Sequence, residues 1–376
     1  MDSDAVRRTS GPRLIAHDMY RRSSYGSRHP LSIPRVAAAM DLIQGMGWLR
    51  PGQYIESPVA SFEQICRFHD PDYVIALIET ERTQRASIET RQRYSIGINN
   101  NPIFPEMFQR PATSCGGTLT AAAMLVESGG IVHHLAGGTH HGHRARAGGF
   151  CFLNDVVLGI LCLLDHGFTR VLYVDLDAHH GDGVENAFSG DPRVLMISIH
   201  EEKRWPYTGT VDDRAGGSAR NLPVPRELND SEFDVLIQAA VLPLARRFAP
   251  EATVIQCGAD ALADDPMSGL MLSNGAIWKA VQQLSEVVPR LLVLGGGGYN
   301  PWSTARCWAG IWATLNQLDA REIPTATARA VLRDLTWSRS QGRNPPEHWF
   351  ATIADPERPG KVRSRIHELV AVTLRP

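Results

Sequence analysis

From residue 130 onward the chain alternates short apolar runs with segments of helical pattern. The runs at 131–135, 170–174, 194–199, 253–256 and 291–294 are largely apolar and bounded by turn residues, as expected for strands buried on both faces. Helix starts are legible between them: Asn154 caps a helix ending near Gly167, Asp230 begins another, a third starts near Asn274, and Asn300 with Pro301 opens a fourth. This alternation predicts an α/β fold in a single domain, an open and mostly parallel sheet with helices on both faces. Upstream, 13–16 reads as a strand, 34–46 as a helix, and Asp70 caps a further helix beginning at Pro71. Residues 86–110 read as an irregular rim loop, and a long loop is expected from 199 to Asn221. After about 320 the pattern weakens, and QGRNPPEH at 341–348 precedes a last helix near 362–373. Residues 1–320 are therefore expected to form the main domain. Residues 321–376 are expected to form a helical extension docked on it or on a partner subunit, so oligomerisation is one expectation.

Composition narrows the function classes. A hydrophobic fraction of 43% with 21% charged residues describes a soluble globular chain. A formal net charge of −2 argues against nucleic acid as a general partner, because such binding needs a basic surface. No apolar stretch approaches the roughly 20 residues of a membrane span. The six cysteines are scattered without a CxxC spacing and Met1 is followed by polar residues, which predicts a reduced, cytoplasmic protein. Only Lys203, Lys279 and Lys361 are lysines among 38 basic residues, a skew that fits GC-rich bacterial coding.

Each predicted strand after residue 130 is followed by side chains suited to chemistry. His140 and His141 follow the first; Asp175, Asp177, His179, His180 and Asp182 follow the second; His200, Asp260 and Tyr299 follow the others. In open parallel sheets the ligand crevice lies beyond the carboxyl ends of the strands, so these groups are expected to converge. Asp177 and His179, two residues apart, share one side of an extended segment, and Asp260 can join them. Two carboxylates and one imidazole leave coordination positions open, the pattern of a hydrolytic metal site. Zinc is the first choice and iron(II) is compatible. The His140–His141 pair can supply a general base and a second imidazole, with Asp175 and Asp182 as the carboxylates that orient them. Tyr299, carried by GGGGYN, can donate its phenol proton to a polarised carbonyl oxygen. His133 and His134 read as packing groups inside a strand, Cys151 as inert packing, and Trp205 and Tyr207 as core cover or pocket wall.

The segments GGTHHGHRARAGGFCFLND, YVDLDAHHGDGVE, QCGAD, DDP and GGGGYN together resemble the histone deacetylase superfamily, most closely its acetoin-utilisation-protein and class I-like branch. The resemblance runs from about Arg28 to Trp308 and implies an open α/β sheet related to that of arginase. It implies removal of acyl groups from lysine side chains or polyamines through a narrow tunnel. Metal ligands would be Asp177, His179 and Asp260, with His141 as base, His140 as its electrostatic partner and Tyr299 polarising the carbonyl. Asp175 and Asp182 would stand behind His140 and His141. Gly149, Phe150 and Met267 match tunnel positions, and Arg35 an arginine near the inner end. A structural potassium or sodium ion would involve Asp175, Asp177, His179 and Ser198. Two segments depart from the family pattern. Asn99, Asn100 and Asn101 replace a rim aspartate, and neutral amides hold peptide N–H groups less strongly than a carboxylate. WPYTGTVDD at 205–213 replaces a wall sequence, putting Trp205, Pro206 and Tyr207 on the tunnel.

The expected activity is zinc-dependent deacetylation or deacylation of Nε-acyl-lysine in a peptide or protein. Acetylpolyamine hydrolysis, with an acetylated small amine as substrate, is the rival within the same chemistry. A ureohydrolase would need a second metal and further bridging carboxylates, and a catalytically silent acyl-ligand or metal-binding module would not need the base and the tyrosine.

Overall fold

The computed structural model describes residues 11–98 and 100–375. Eight strands form one sheet: β1 (Arg13–Ala16), β2 (Tyr54–Glu56), β3 (Gly130–His134), β4 (Val171–Asp175), β5 (Val194–Glu201), β6 (Ala219–Val224), β7 (Ala252–Gln256) and β8 (Arg290–Leu294). Their order is β2-β1-β3-β8-β7-β4-β5-β6, and every pairing is parallel. The expected open sheet is present as a single unit.

Alternation along the central strands sends side chains into two cores. Leu172 and Val174 face one layer with the helices Arg35–Gly45, Asn274–Val287 and Pro301–Leu315. Val171 and Tyr173 face the other, packed on Gln109–Ser128 and Asp155–Asp165. Buried indoles tie the first layer together through N–H donors: Trp308 to the Cys257 carbonyl at 3.0 Å, Trp312 to that of Trp48 at 3.0 Å, and Trp302 to that of Leu332 at 2.7 Å. Each satisfies its one polar atom while filling a large volume.

Several elements depart from the expectation. The helix Gln109–Ser128 was not legible, because Pro111, Gly116, Gly117 and its hydroxyl residues are poor helix formers. Its glycines serve contact instead: a Cβ at Gly117 would lie 2.5 Å from the His134 ring and one at Gly116 2.0 Å from the Pro58 carbonyl oxygen. Within the expected rim loop, Ser87 caps a short helix, Ile88–Tyr94. The expected loop to Asn221 contains the start of β6, whose Pro223 is tolerated because β6 is an edge strand. β2 is a three-residue edge strand, too short to leave a periodic signal. No helix among the described residues is long and apolar enough to cross a membrane.

Beyond residue 320, Ala326–Asp334 packs on Arg35–Gly45, and Ser364–Thr373 packs beside β6. Trp349 stacks on Trp302 with ring centroids 5.0 Å apart. Arg306, fully buried, pairs with Asp355 at 2.7 Å. Losing one partner of a buried pair leaves an uncompensated charge, so Asp355→Ala is expected to cost about 3–5 kcal/mol. Urea unfolding with the slope held common should show this as a lowered midpoint; an unchanged midpoint would remove Arg306–Asp355 as the anchor of the C-terminal segment.

Candidate active site

Register places the chemistry. Asp175 at the end of β4 lies opposite Ser198 of β5 and Gln256 of β7, Gln256 opposite Leu294 of β8, and Leu294 opposite His134 of β3. The strands thus end level, and the loops that follow them open onto one crevice. The His140–His141 loop is pinned from below. Asp155 accepts from the backbone N–H of Gly138 at 3.1 Å and of Thr139 at 2.7 Å, and Asn154 donates to the Gly142 carbonyl at 2.8 Å while capping its own helix.

Asp177, His179 and Asp260 each offer one ligand atom, all within 4.8 Å of one another, and all three side chains are buried. His179 Nδ1 lies 3.2 Å from Asp177 Oδ1 and 3.0 Å from Asp260 Oδ2. Burial, then the neighbouring Asp177 charge, pushes Asp260 up from the ordinary carboxylate range. Two buried carboxylates against one imidazole leave an excess of negative charge that a divalent cation would satisfy, and the mixed O,O,N donor set suits such an ion. Space is cleared by glycine. A Cβ at Gly258 would sit 2.1 Å from Asp177 Oδ2, and one at Gly297 2.0 Å from Asp260 Oδ2.

Two carboxylate–imidazole pairs flank this triad. His140 Nδ1–H donates to Asp175 Oδ2 at 2.8 Å, and His141 Nδ1–H to Asp182 Oδ1 at 2.7 Å. Tyr173 adds an O–H donor to Asp175 Oδ2 at 2.7 Å. The two imidazoles differ in charge preference. Burial opposes protonation of His140, but the Asp175 and Asp177 charges outweigh it and raise the group to about 9. Burial and the His140 charge lower His141 to about 3, against the opposing pull of Asp182. These surroundings favour the charged ring at His140 and the neutral ring at His141.

Tyr299 is delivered by the glycine-rich turn after β8 and held by Asp265, whose Oδ2 accepts the Tyr299 backbone N–H at 2.5 Å. Asp264 Oδ2 accepts the Trp349 indole N–H at 2.9 Å, so the C-terminal segment braces the same turn. Arg35 donates to the Gly296 carbonyl at 2.7 Å beneath it. His141, His179 and Tyr299 face a cavity of about 560 Å³ walled by Gly149, Phe150, Trp205, Tyr207 and Met267, with Asn100 at its edge. Trp205 packs edge-on against His141 at 4.6 Å between ring centroids. Gly149 lets it approach, since a Cβ there would lie 2.5 Å from both the His141 and Trp205 rings. Phe150 adopts a left-handed φ of 70°, uncommon for a residue with a side chain. Asn101 accepts its N–H at 3.1 Å and Tyr25 donates to its carbonyl at 3.1 Å, fixing that conformation.

The sequence-derived set therefore gathers in one place: His140, His141, Asp175, Asp182, Asp177, His179, Asp260 and Tyr299 around the crevice, with Gly149, Phe150, Trp205, Tyr207, Met267 and Asn100 as its wall. Pro206 lines an adjoining polar cavity of about 440 Å³ instead. Asn101 is buried behind Phe150 rather than presented at the rim, and Asn99 lies outside the described residues. Ser198 is buried at the strand ends with its hydroxyl 2.9 Å from His200 Nδ1. His180 and His200 turn away from the triad and hold the 205–213 loop, through Thr208 at 2.8 Å and the Gly209 carbonyl at 2.9 Å. Sequence reasoning missed Asp155, Asp265 and Trp349. The DDP motif was the available signal for Asp265; nothing local marks Trp349.

A model described as the histone deacetylase domain matches residues 29–315. The chain is 36% identical over 290 residues to histone deacetylase 1 of Oryza sativa subsp. japonica, covering 76% of this chain but 56% of that protein, so it spans little more than half the length of this relative. It is 32% identical over 327 residues to the acetoin utilization protein AcuC of Bacillus subtilis, covering 83% of this chain and 84% of that one. The crystal structure of an HDAC homolog from Aquifex aeolicus superposes with a TM-score of 0.92 at 32% identity, over 97% of this chain and all of that one. A crystal structure of an HDAC homolog complexed with SAHA gives the same TM-score and identity. The chain belongs to the histone deacetylase family, with an acetoin utilisation protein among its relatives.

Proposed function

We propose that the protein is a zinc-dependent deacylase that hydrolyses the amide of Nε-acyl-lysine in peptides or proteins. The observation that carries this reading is the meeting of the Asp177–His179–Asp260 triad and the two carboxylate-held histidines beside a cavity that His141, His179 and Tyr299 line together with Phe150 and Trp205. A zinc ion held by Asp177, His179 and Asp260 would polarise the acyl carbonyl and lower the pKa of water to roughly 7. His141, neutral and anchored through Nδ1 to Asp182, takes the proton of the attacking water. His140, held as a cation by Asp175, stabilises the negative charge that develops, and an imidazolium of the pair returns a proton to the leaving lysine amine. Tyr299 donates its phenol hydrogen to the carbonyl oxygen as that oxygen gains charge. Trp205 and Phe150 exclude water around an unbranched aliphatic chain.

In this reading residues 1–320 carry the catalysis, and residues 321–376 brace the tyrosine turn through Trp349. The main-chain oxygens of Asp175, Asp177 and His179, with Ser198, form the set for a potassium or sodium ion. Acetylpolyamines are the competing substrate class, because they carry the same linear acylated amine.

Activity on an acetyl-lysine peptide is expected to vanish on chelation and to return with zinc(II); turnover that survives chelation would exclude this mechanism. Acetyl-lysine peptides should exceed acetylputrescine in kcat/KM, and the reverse order would move the protein to the polyamine class. Tyr299→Phe should keep its full zinc content by atomic absorption while kcat drops by about 10²–10³-fold, the usual effect of losing one oxyanion donor. Unimpaired turnover in that variant would eliminate the oxyanion role.

A further inference from the structure

The ionisable groups at the cavity mouth do not balance. Glu201, Glu202, Lys203, Arg204 and Arg226 all line it. Glu201 is buried and fully engaged: Arg204 grips it from Nε at 2.5 Å and Nη2 at 2.9 Å, and the Gly269 N–H donates to it at 2.6 Å. Arg204 spends its remaining arm on the Met267 carbonyl at 2.8 Å. Glu202 faces Arg365 at 3.5 Å, and exposed Glu227, next to Arg226 in the chain, does not line the cavity, while Arg363 is taken up by Glu232 at 2.6 Å. Among the lining residues, the groups left over are cations. Arg226 has a side chain 74% exposed and only a 3.9 Å approach to the already occupied Glu201. Lys203 is exposed and, among the described residues, has no carboxylate within ion-pair distance; nor has exposed Arg339, whose guanidinium reaches the sulfur of Met267 at 3.9 Å. Asn100, across the opening, adds no negative charge.

Resting on the amide-hydrolysis reading above, we propose that this rim selects acyl-lysine sites flanked by acidic residues, with Arg226 and Lys203 contacting the flanking carboxylates. The anion belongs on the flank and not in the acyl chain, because the unpaired cations are exposed at the mouth, while Phe150 and Trp205 line the wall. Lysine-rich flanks are disfavoured by the same charges. Exposed charges steer encounter and orientation, and salt weakens them.

The test uses matched acetyl-lysine peptides carrying aspartate or lysine on both sides, with binding to the zinc-loaded protein read by fluorescence anisotropy and turnover read in parallel. The aspartate-flanked peptide should bind about five- to tenfold more tightly at low salt, a ratio in the range of two exposed charge contacts, and the ratio should shrink as salt is added. The double variant Lys203→Glu, Arg226→Glu should invert the ratio. Equal binding of the two peptides, or tighter binding of the lysine-flanked one by the unaltered protein, overturns the proposal even if both are deacetylated. Preferential binding of the aspartate-flanked peptide without cleavage of either upholds the rim and refutes the reaction.

Discussion

Two carboxylates, Asp177 and Asp260, are buried within reach of a single imidazole, and most of the architecture around them answers that cost. An isolated buried carboxylate is expensive, so it must find a counter-charge or a set of donors. Backbone N–H groups supply part: Ala178 donates to Asp260 Oδ1 at 3.0 Å, and Gly297 to Asp177 Oδ2 at 2.8 Å. The same burial that makes the pair costly without a cation favours one there. Glycine at 258 and 297 is therefore a requirement of volume, since any side chain would displace an oxygen of the pair.

A second tier of carboxylates sets the histidines apart. Asp175 and Asp182 each fix one imidazole by its Nδ1, yet the outcomes differ, because His140 also feels Asp177 at 3.8 Å while His141 feels mainly His140 and its own burial. Two adjacent residues of one type thus acquire opposite protonation preferences from position alone. Asp175 ends β4 and Asp182 opens the helix Asp182–Ala187, so the carboxylates behind these loop-borne histidines sit on regular structure.

The C-terminal segment belongs to this machinery more than its weak sequence pattern suggests. Trp349 covers Trp302 and donates to Asp264, whose neighbour Asp265 holds the tyrosine turn. Stability of the tail and placement of Tyr299 are consequently coupled through two adjacent aspartates. The Trp205 loop is held in a comparable way from the other side by His180 and His200.

Period and punctuation determined the central strands, their parallel class and the helices with clear caps, because apolar runs bounded by Asn, Asp, Gly and Pro act locally. Side-chain chemistry at the strand ends determined the candidate site for the same reason: once a parallel sheet is inferred, its carboxyl edge brings those residues together whatever the strand order. Tertiary structure alone decided the rest. Gln109–Ser128 is a helix because its glycines and small residues fit against β3 and the Pro58 segment, a benefit invisible in propensity. Asn101 supports Phe150 instead of standing at the rim because the chain turns it inward. The charge of the cavity mouth depended on which carboxylates near Lys203 and Arg226 were already paired. Ion pairing of that kind is set by distances between strands, loops and tail that no local pattern encodes.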